Sequence, residues 1–549
     1  MRLFPRSPAP DRHRMPAMTQ QIQGLNIAGR QAASRQDWIN VDRCARGILG
    51  LDQKHPDGHF LSGLVAKAAQ KPRQAIKAFE TALQIDAHRY DAAVELADLM
   101  SMARRNGEAA SLLGRYEDQL SNSPKYLDMA ATTYITIGLP ERAWPLYRRA
   151  VDLQPDIPLF RGNLAACSVY VGEMDLAEAT YEELLRENPN HQRNHYHLSR
   201  IRRARDTAHI NQMLGVLDST KLPDERNIFL YYALGKEYED LGLWDEAFSY
   251  YKKGGDAAYA VSRYNVKSDI DIIDKVIEVC DRRWIEQGAA EGETSRRPLF
   301  IVGLPRTGTT LTERIIASHS GVSSVGETEF IQMMIRKISG VATVEKMTPA
   351  IIEAAAGQPA DIVRDGYLDI VAYRLDDAPI FIDKLPFNVL YLGFIARAWP
   401  GKPIVLLKRN PMDSCFSMYK QVFTWAYKFS YNLETLGAYY IAYERLCQHW
   451  RDVLGDQLVE VQYEDLVADQ EAVTRRLLDG IGLDFEEACL HFEKNVAPST
   501  TASSVQVREK VYVDSVQRWR RFEQHLEPLR RQLESAGVAI DGITGASGD

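Results

Sequence analysis

The sequence predicts an α plus α/β chain: an all-helical solenoid of repeats over residues 25–260, then an α/β domain with a mostly parallel sheet over residues 298–535. Three observations carry that expectation. A small residue followed four positions later by an aromatic recurs at Ala75–Phe79, Ala143–Tyr147, Ala177–Tyr181 and Ala247–Tyr251, which puts both on one helical face. From Pro298 onward, short β-rich apolar runs alternate with helical stretches. The first of those runs feeds a Gly-bearing loop, Gly303–Thr310, with the local sequence of an anion cradle at a helix start.

Residues 1–24 read as a disordered leader: Arg2, Arg6, Arg12 and Arg14 stand among prolines without the apolar core of a secretory signal, and Met15 or Met18 offers an alternative start. Within the array, Tyr147 and Tyr181 lie 34 residues apart, and Phe79 and Tyr147 lie 68 apart. Gly138, Gly172 and Gly242 each precede the small residue by five positions, where the first helix of a pair ends and needs a permissive backbone. Pro124, Pro155 and Pro189 each follow an aromatic by eight positions and stop the second helix. The array therefore resembles tetratricopeptide repeats, with about five to seven helix pairs. Residues 261–297 are expected to form a helical linker that ends in the polar stretch Gln287–Arg297, and residues 536–549 a flexible tail. The expected strands are Leu299–Val302, Ile380–Ile382, Ile404–Leu407 and Leu458–Val461, parallel because helices separate them.

Composition narrows the function classes. Of 549 residues, 45% are hydrophobic and 26% charged, which excludes collagen-like, coiled-coil and wholly disordered chains. A formal charge of −8 argues against a general nucleic-acid-binding surface. No apolar run approaches the ~20 residues of a membrane span. Six cysteines without a C-x-x-C pair suggest neither a zinc site nor a disulfide framework, and a cytoplasmic setting is expected. No H-E-x-x-H or EF-hand pattern occurs, so no metal is expected.

The loop Gly303-Leu304-Pro305-Arg306-Thr307-Gly308-Thr309-Thr310 is P-loop-like, with one decisive departure. Thr309 stands where nucleoside-triphosphate enzymes place the lysine that reaches the β- and γ-phosphates, and Arg306 lies inside the loop instead. A phosphate-binding loop for a ligand lacking a triphosphate is the expectation. Ligands of open α/β sheets sit at the carboxyl ends of strands. The four expected strands deliver Arg306, Lys384, Arg409 and Tyr463 there. From Lys402 through Met412 there are three cations and no acid, and Ser417 follows Arg409 by eight residues on the next helix. An arginine with a hydroxyl suits a second, separate phosphate.

A loop of the form P-R-[ST]-G-T-[ST], followed by a strand ending in R-N-P with a serine eight residues after the arginine, resembles the sulfotransferases that use 3′-phosphoadenosine 5′-phosphosulfate. Over Pro298–Arg521 the resemblance is greatest to the protein-tyrosine (tyrosylprotein) sulfotransferases, and its combination with repeats is similar to bacterial tetratricopeptide sulfotransferases. The resemblance implies that Pro305, Arg306, Thr307, Gly308, Thr309 and Thr310 hold the 5′-phosphosulfate of this cosubstrate. Counting 21 residues from Arg306, as in that family, gives Glu327 as general base; Glu329, two positions on, is the alternative, and stands where the family has an arginine that meets acidic peptides. The lysine of the family's strand-end N-K-x-P-F motif matches Lys384 in IDKLPFN, which implies leaving-group stabilisation by Lys384. Arg409 and Ser417 are implied as the 3′-phosphate clamp, Tyr463 as a nucleotide contact, Ser503 as a contact to the phosphosulfate and Arg518 as a further cation for the 3′-phosphate.

Two other readings stand beside this one: a P-loop-type small-molecule kinase, and a repeat scaffold carrying an inactive α/β domain. The array itself suits a polypeptide acceptor or protein partner in its groove, or a homodimer contact.

Overall fold

A computed structural model of the chain describes residues 17–120, 122–292, 294–423, 426–501, 504, 505, 508 and 515–540. The chain divides into two compact units, Met1–Gln154 and Pro155–Asp549.

The first unit holds eight α-helices, from Ala17–Ser34 to Pro140–Leu153, and one short 3-10 helix, Glu117–Leu120, among its described residues. The opening helix starts at Ala17, inside the stretch expected to be a leader. Ala75, Phe79, Ala143 and Tyr147 are buried, as packing positions on one helical face should be.

The second unit continues with helix pairs, including Pro158–Val171 with Met174–Glu187 and Ile228–Asp240 with Trp244–Ser262. Ala177, Tyr181, Ala247 and Tyr251 are buried here. The turn glycines at 138, 172 and 242 all have positive φ, at 80°, 97° and 76°, a backbone that glycine adopts without steric cost, whereas Gln70, five residues before Ala75, carries a side chain through the equivalent turn at φ 56°.

Five parallel strands follow: β1 (Arg297–Val302), β2 (Val322–Ser324), β3 (Ile380–Lys384), β4 (Ile404–Lys408) and β5 (Leu458–Gln462), in the order β2-β3-β1-β4-β5. Strand β2 was not expected; three residues are too few to leave a periodic signal. Alternation along β1 feeds two cores. Leu299 and Ile301 join one with Val405, Leu407 and Leu477, whereas Phe300 and Val302 join the other with Phe381 and Leu406. The second core is continuous with Tyr196, Tyr232 and Tyr251 of the repeat helices. The last repeats thus share an apolar core with the sheet, and the division of the chain falls inside the array rather than at its end. No helix among the described residues is long and apolar enough to cross a membrane.

Candidate active site

The order β3-β1-β4 sets β1 between the strands that bear the other two functional blocks. Connections leave β1 toward β2 on one side and return across it to β4, so the loops at its carboxyl end diverge and leave a crevice. The loop after β1 runs through buried Pro305 and Thr307 to the helix Thr309–Ile316. Gly308 caps that helix at φ 101°, and a Cβ there would stand 2.6 Å from Tyr463 Cδ2. Only glycine lets the Tyr463 ring lie against the loop. Thr309 and Thr310 occupy the first turn, where backbone N–H groups lack intrahelical partners. Arg306 has a left-handed backbone, φ 68°, a costly conformation for a side-chain-bearing residue, and its carbonyl is held by Arg409 Nη1 at 2.8 Å.

On the β3 side, Lys384 is 0% exposed and donates through Nζ to Glu327 Oε1 at 2.5 Å. The Glu327 side chain is 35% exposed, so the pair has a buried cation beneath an accessible carboxylate. Glu313, on the helix after the loop, lies 3.6 Å from the same Nζ and accepts from Ser324 Oγ at 2.6 Å. Burial alone would lower the Lys384 pKa; the charges of Glu327 and Glu313 outweigh it and hold the amine above its ordinary value. Beside this pair, Asp383 accepts from Thr328 Oγ1 at 2.5 Å, Tyr367 Oη at 2.8 Å and Asn388 Nδ2 at 3.3 Å. It thereby ties the residue after Glu327 to the strand that carries Lys384. Burial pushes the Asp383 carboxyl up to about 7 against these donors.

On the β4 side, Arg409 leads into the helix Pro411–Tyr419, capped by the Asn410 side chain with Pro411 in its first turn. Its Nη1 also reaches Ser417 Oγ at 3.4 Å, its Nη2 donates to the Ser515 carbonyl at 2.6 Å, and its guanidinium lies 4.7 Å from the Tyr463 ring centroid. Tyr463 Oη and Ser515 Oγ stand 2.7 Å apart. Arg409 Nε is buried with no hydrogen-bond partner among the described residues, an unspent donor at the place where a phosphate is expected. Asp413 anchors the following segment by accepting from the backbone N–H groups of Gln517 and Trp519 at 2.6 and 3.0 Å.

Glu327 with Lys384, and Arg409 with Ser417 and Tyr463, therefore meet in two groups on either side of the loop Pro305–Thr310. Arg518 makes an ion pair with Glu239 at 2.8 Å. Ser503 lies outside the described residues. Glu329 pairs with Lys346 at 2.8 Å, while Glu327 holds the buried lysine. Three contributors were not anticipated: Glu313, Asp383 and Ser515. Asp383 alone had a signal, an acid that directly follows the apolar run Ile380–Ile382 and precedes Lys384.

Residues 298–487 match the model of the sulfotransferase family, and residues 66–132 match a tetratricopeptide repeat. An uncharacterized protein of Aquifex aeolicus (strain VF5) is 29% identical over 66% of this chain and 48% of its own length. The protein-tyrosine sulfotransferase of Drosophila melanogaster is 24% identical over 40% of this chain and 46% of its own length. The chain spans about half the length of these two relatives. Among solved structures, the sulfotransferase domain of the Synechococcus PCC 7002 olefin synthase is 21% identical, with a TM-score of 0.29 over 42% of this chain and 90% of that one.

Proposed function

We propose that this chain, whose residues 298–487 form a sulfotransferase-family domain behind tetratricopeptide repeats, moves the sulfuryl group of 3′-phosphoadenosine 5′-phosphosulfate to a hydroxyl acceptor. Protein tyrosine is the acceptor favoured by relatives that carry that name. The observation that carries the reading is the pairing of an accessible carboxylate with a buried lysine on one side of a phosphate-type loop, and of an arginine with a serine on the other. In this reading the acceptor hydroxyl oxygen attacks sulfur as the bond from sulfur to the nucleotide's phosphate oxygen breaks. Glu327 takes the hydroxyl proton. Lys384, kept charged by Glu313 when Glu327 turns to the acceptor, neutralises the oxygen left on the departing phosphate. The products are a sulfate ester and 3′,5′-adenosine bisphosphate. Backbone donors of Gly308–Thr310 and the Arg306 guanidinium orient the sulfuryl end, and Arg409 with Ser417 and Tyr463 takes the 3′-phosphate and its nucleoside.

The repeats are proposed to present a polypeptide acceptor, and the chain to work in the cytoplasm. Thermal denaturation tests the donor assignment. 3′,5′-Adenosine bisphosphate should stabilise the protein by about 2.7 kcal/mol at a concentration about 100 times its Kd. Stabilisation by ATP with magnesium instead would overturn the donor assignment in favour of a kinase.

A further inference from the structure

Where the last repeat helices meet the α/β domain, inside the unit Pro155–Asp549, lies a charged cluster that the chemistry above does not use. Glu239, near the end of the helix Ile228–Asp240, is only 4% exposed. Its Oε1 accepts from Lys420 Nζ at 2.7 Å and stands 2.8 Å from Arg518 Nε, while its Oε2 accepts from Tyr251 Oη at 2.8 Å. The two cations come from either flank of the phosphate clamp. Lys420 ends the helix Pro411–Tyr419 three residues beyond Ser417, and Arg518 lies three residues beyond Ser515, whose carbonyl holds Arg409.

One carboxylate between two cations leaves a net positive charge, and Arg306 lies close enough to act on Lys420. A second repeat helix, Pro158–Val171, holds the same C-terminal stretch: the Tyr170 carbonyl accepts from Ser499 N and from Arg508 Nη2, both at 2.9 Å. We infer that Glu239 is a positioning residue for the donor nucleotide, a repeat-borne carboxylate that fixes Lys420 and Arg518 beside the phosphate clamp and makes the last repeats part of the donor site. This inference rests on the donor reading above.

Its electrostatic consequence is specific. Burial, together with the charges of Arg518 and Arg306, brings the Lys420 amine down to about 8, and Glu239 opposes that fall. The other groups facing Lys420 are Asp413 on its own helix, Tyr251 behind Glu239, and the Phe416 ring, 4.7 Å away. Without Glu239 the amine would lose its proton at lower pH, and Lys420 and Arg518 would face one another without the carboxylate that now lies between them.

Calorimetric titration of the full chain with 3′,5′-adenosine bisphosphate between pH 6 and about pH 9 tests the inference. In the wild type, affinity should weaken as pH rises through about 8. In Glu239→Gln the weakening should begin at lower pH, and affinity at neutral pH should fall roughly tenfold or more. Glu239→Asp should restore part of it. Uniform weakening with the break unmoved would assign Glu239 a merely structural role and overturn the inference, as would unchanged binding. If Glu239→Gln does not fold, Lys420→Met decides: loss of the break supports the inference, and an unmoved break overturns it. Absence of binding by the wild type would instead overturn the donor reading, and the inference with it.

Discussion

Lys384 sits wholly buried between Glu313 and Glu327, so its removal and the removal of either acid have different consequences. Lys384→Ala leaves two carboxylates without their shared cation and should cost about 3–5 kcal/mol of stability as well as activity, read by chemical denaturation. Glu327→Gln keeps the side-chain volume at a partly exposed position; it should melt near the wild type yet lose transfer by roughly 10²–10⁴-fold. Asp383 makes a separate, pH-dependent prediction. Its carboxyl is raised to about 7 by burial, above the ~3.9 of an unfolded chain, so the native state binds the extra proton between those values. Stability should therefore fall as pH rises from about 4 to about 7, with a contribution of up to ~1.4 kcal/mol per pH unit, and level off above. Asp383→Asn should remove that slope in denaturation curves compared across the range. At this scale Arg409 and Ser417 were legible because one continuous block of sequence bears both. Glu313 was not, since only the fold brings the helix Thr309–Ile316 against the end of β3.

The elements repeat that contrast. Periodicity and turn residues announce the helix pairs, because small and aromatic packing positions recur with the glycines between them. Four of five strands were readable as apolar runs; β2, three residues long, is defined by its pairing with β3 alone. The loop after β1 was readable in composition, but the reason for Gly308 was not: the Tyr463 ring that excludes a Cβ comes from the residue after β5. Gly308→Ala combines a left-handed backbone with a 2.6 Å contact and should cost about 1–3 kcal/mol. Paired measurements of thermal stability and 3′,5′-adenosine bisphosphate affinity should both fall. A variant that binds as tightly as the wild type would show that the loop does not shape the nucleotide site.

At the scale of the whole molecule, the sequence suggested a boundary near residue 298, where the grammar changes from repeats to strands. The apolar core does not respect it, because Tyr196, Tyr232 and Tyr251 pack into the same cluster as Phe300 and Phe381. A periodic signal reports each helix's own buried face and carries no information about which later element shares that core. A fragment beginning at residue 298 should therefore expose apolar surface and aggregate, whereas one beginning at Pro155 should give a cooperative melt. The central claim, sulfuryl transfer through the Glu327–Lys384 pair, is tested most directly by incubating the full chain with sulfate-labelled 3′-phosphoadenosine 5′-phosphosulfate and a panel of tyrosine peptides and phenols. Label should pass to a hydroxyl acceptor with the wild type and fail to pass with Glu327→Gln; transfer at the wild-type rate by that variant, or none by a wild type that binds the donor, would contradict the account.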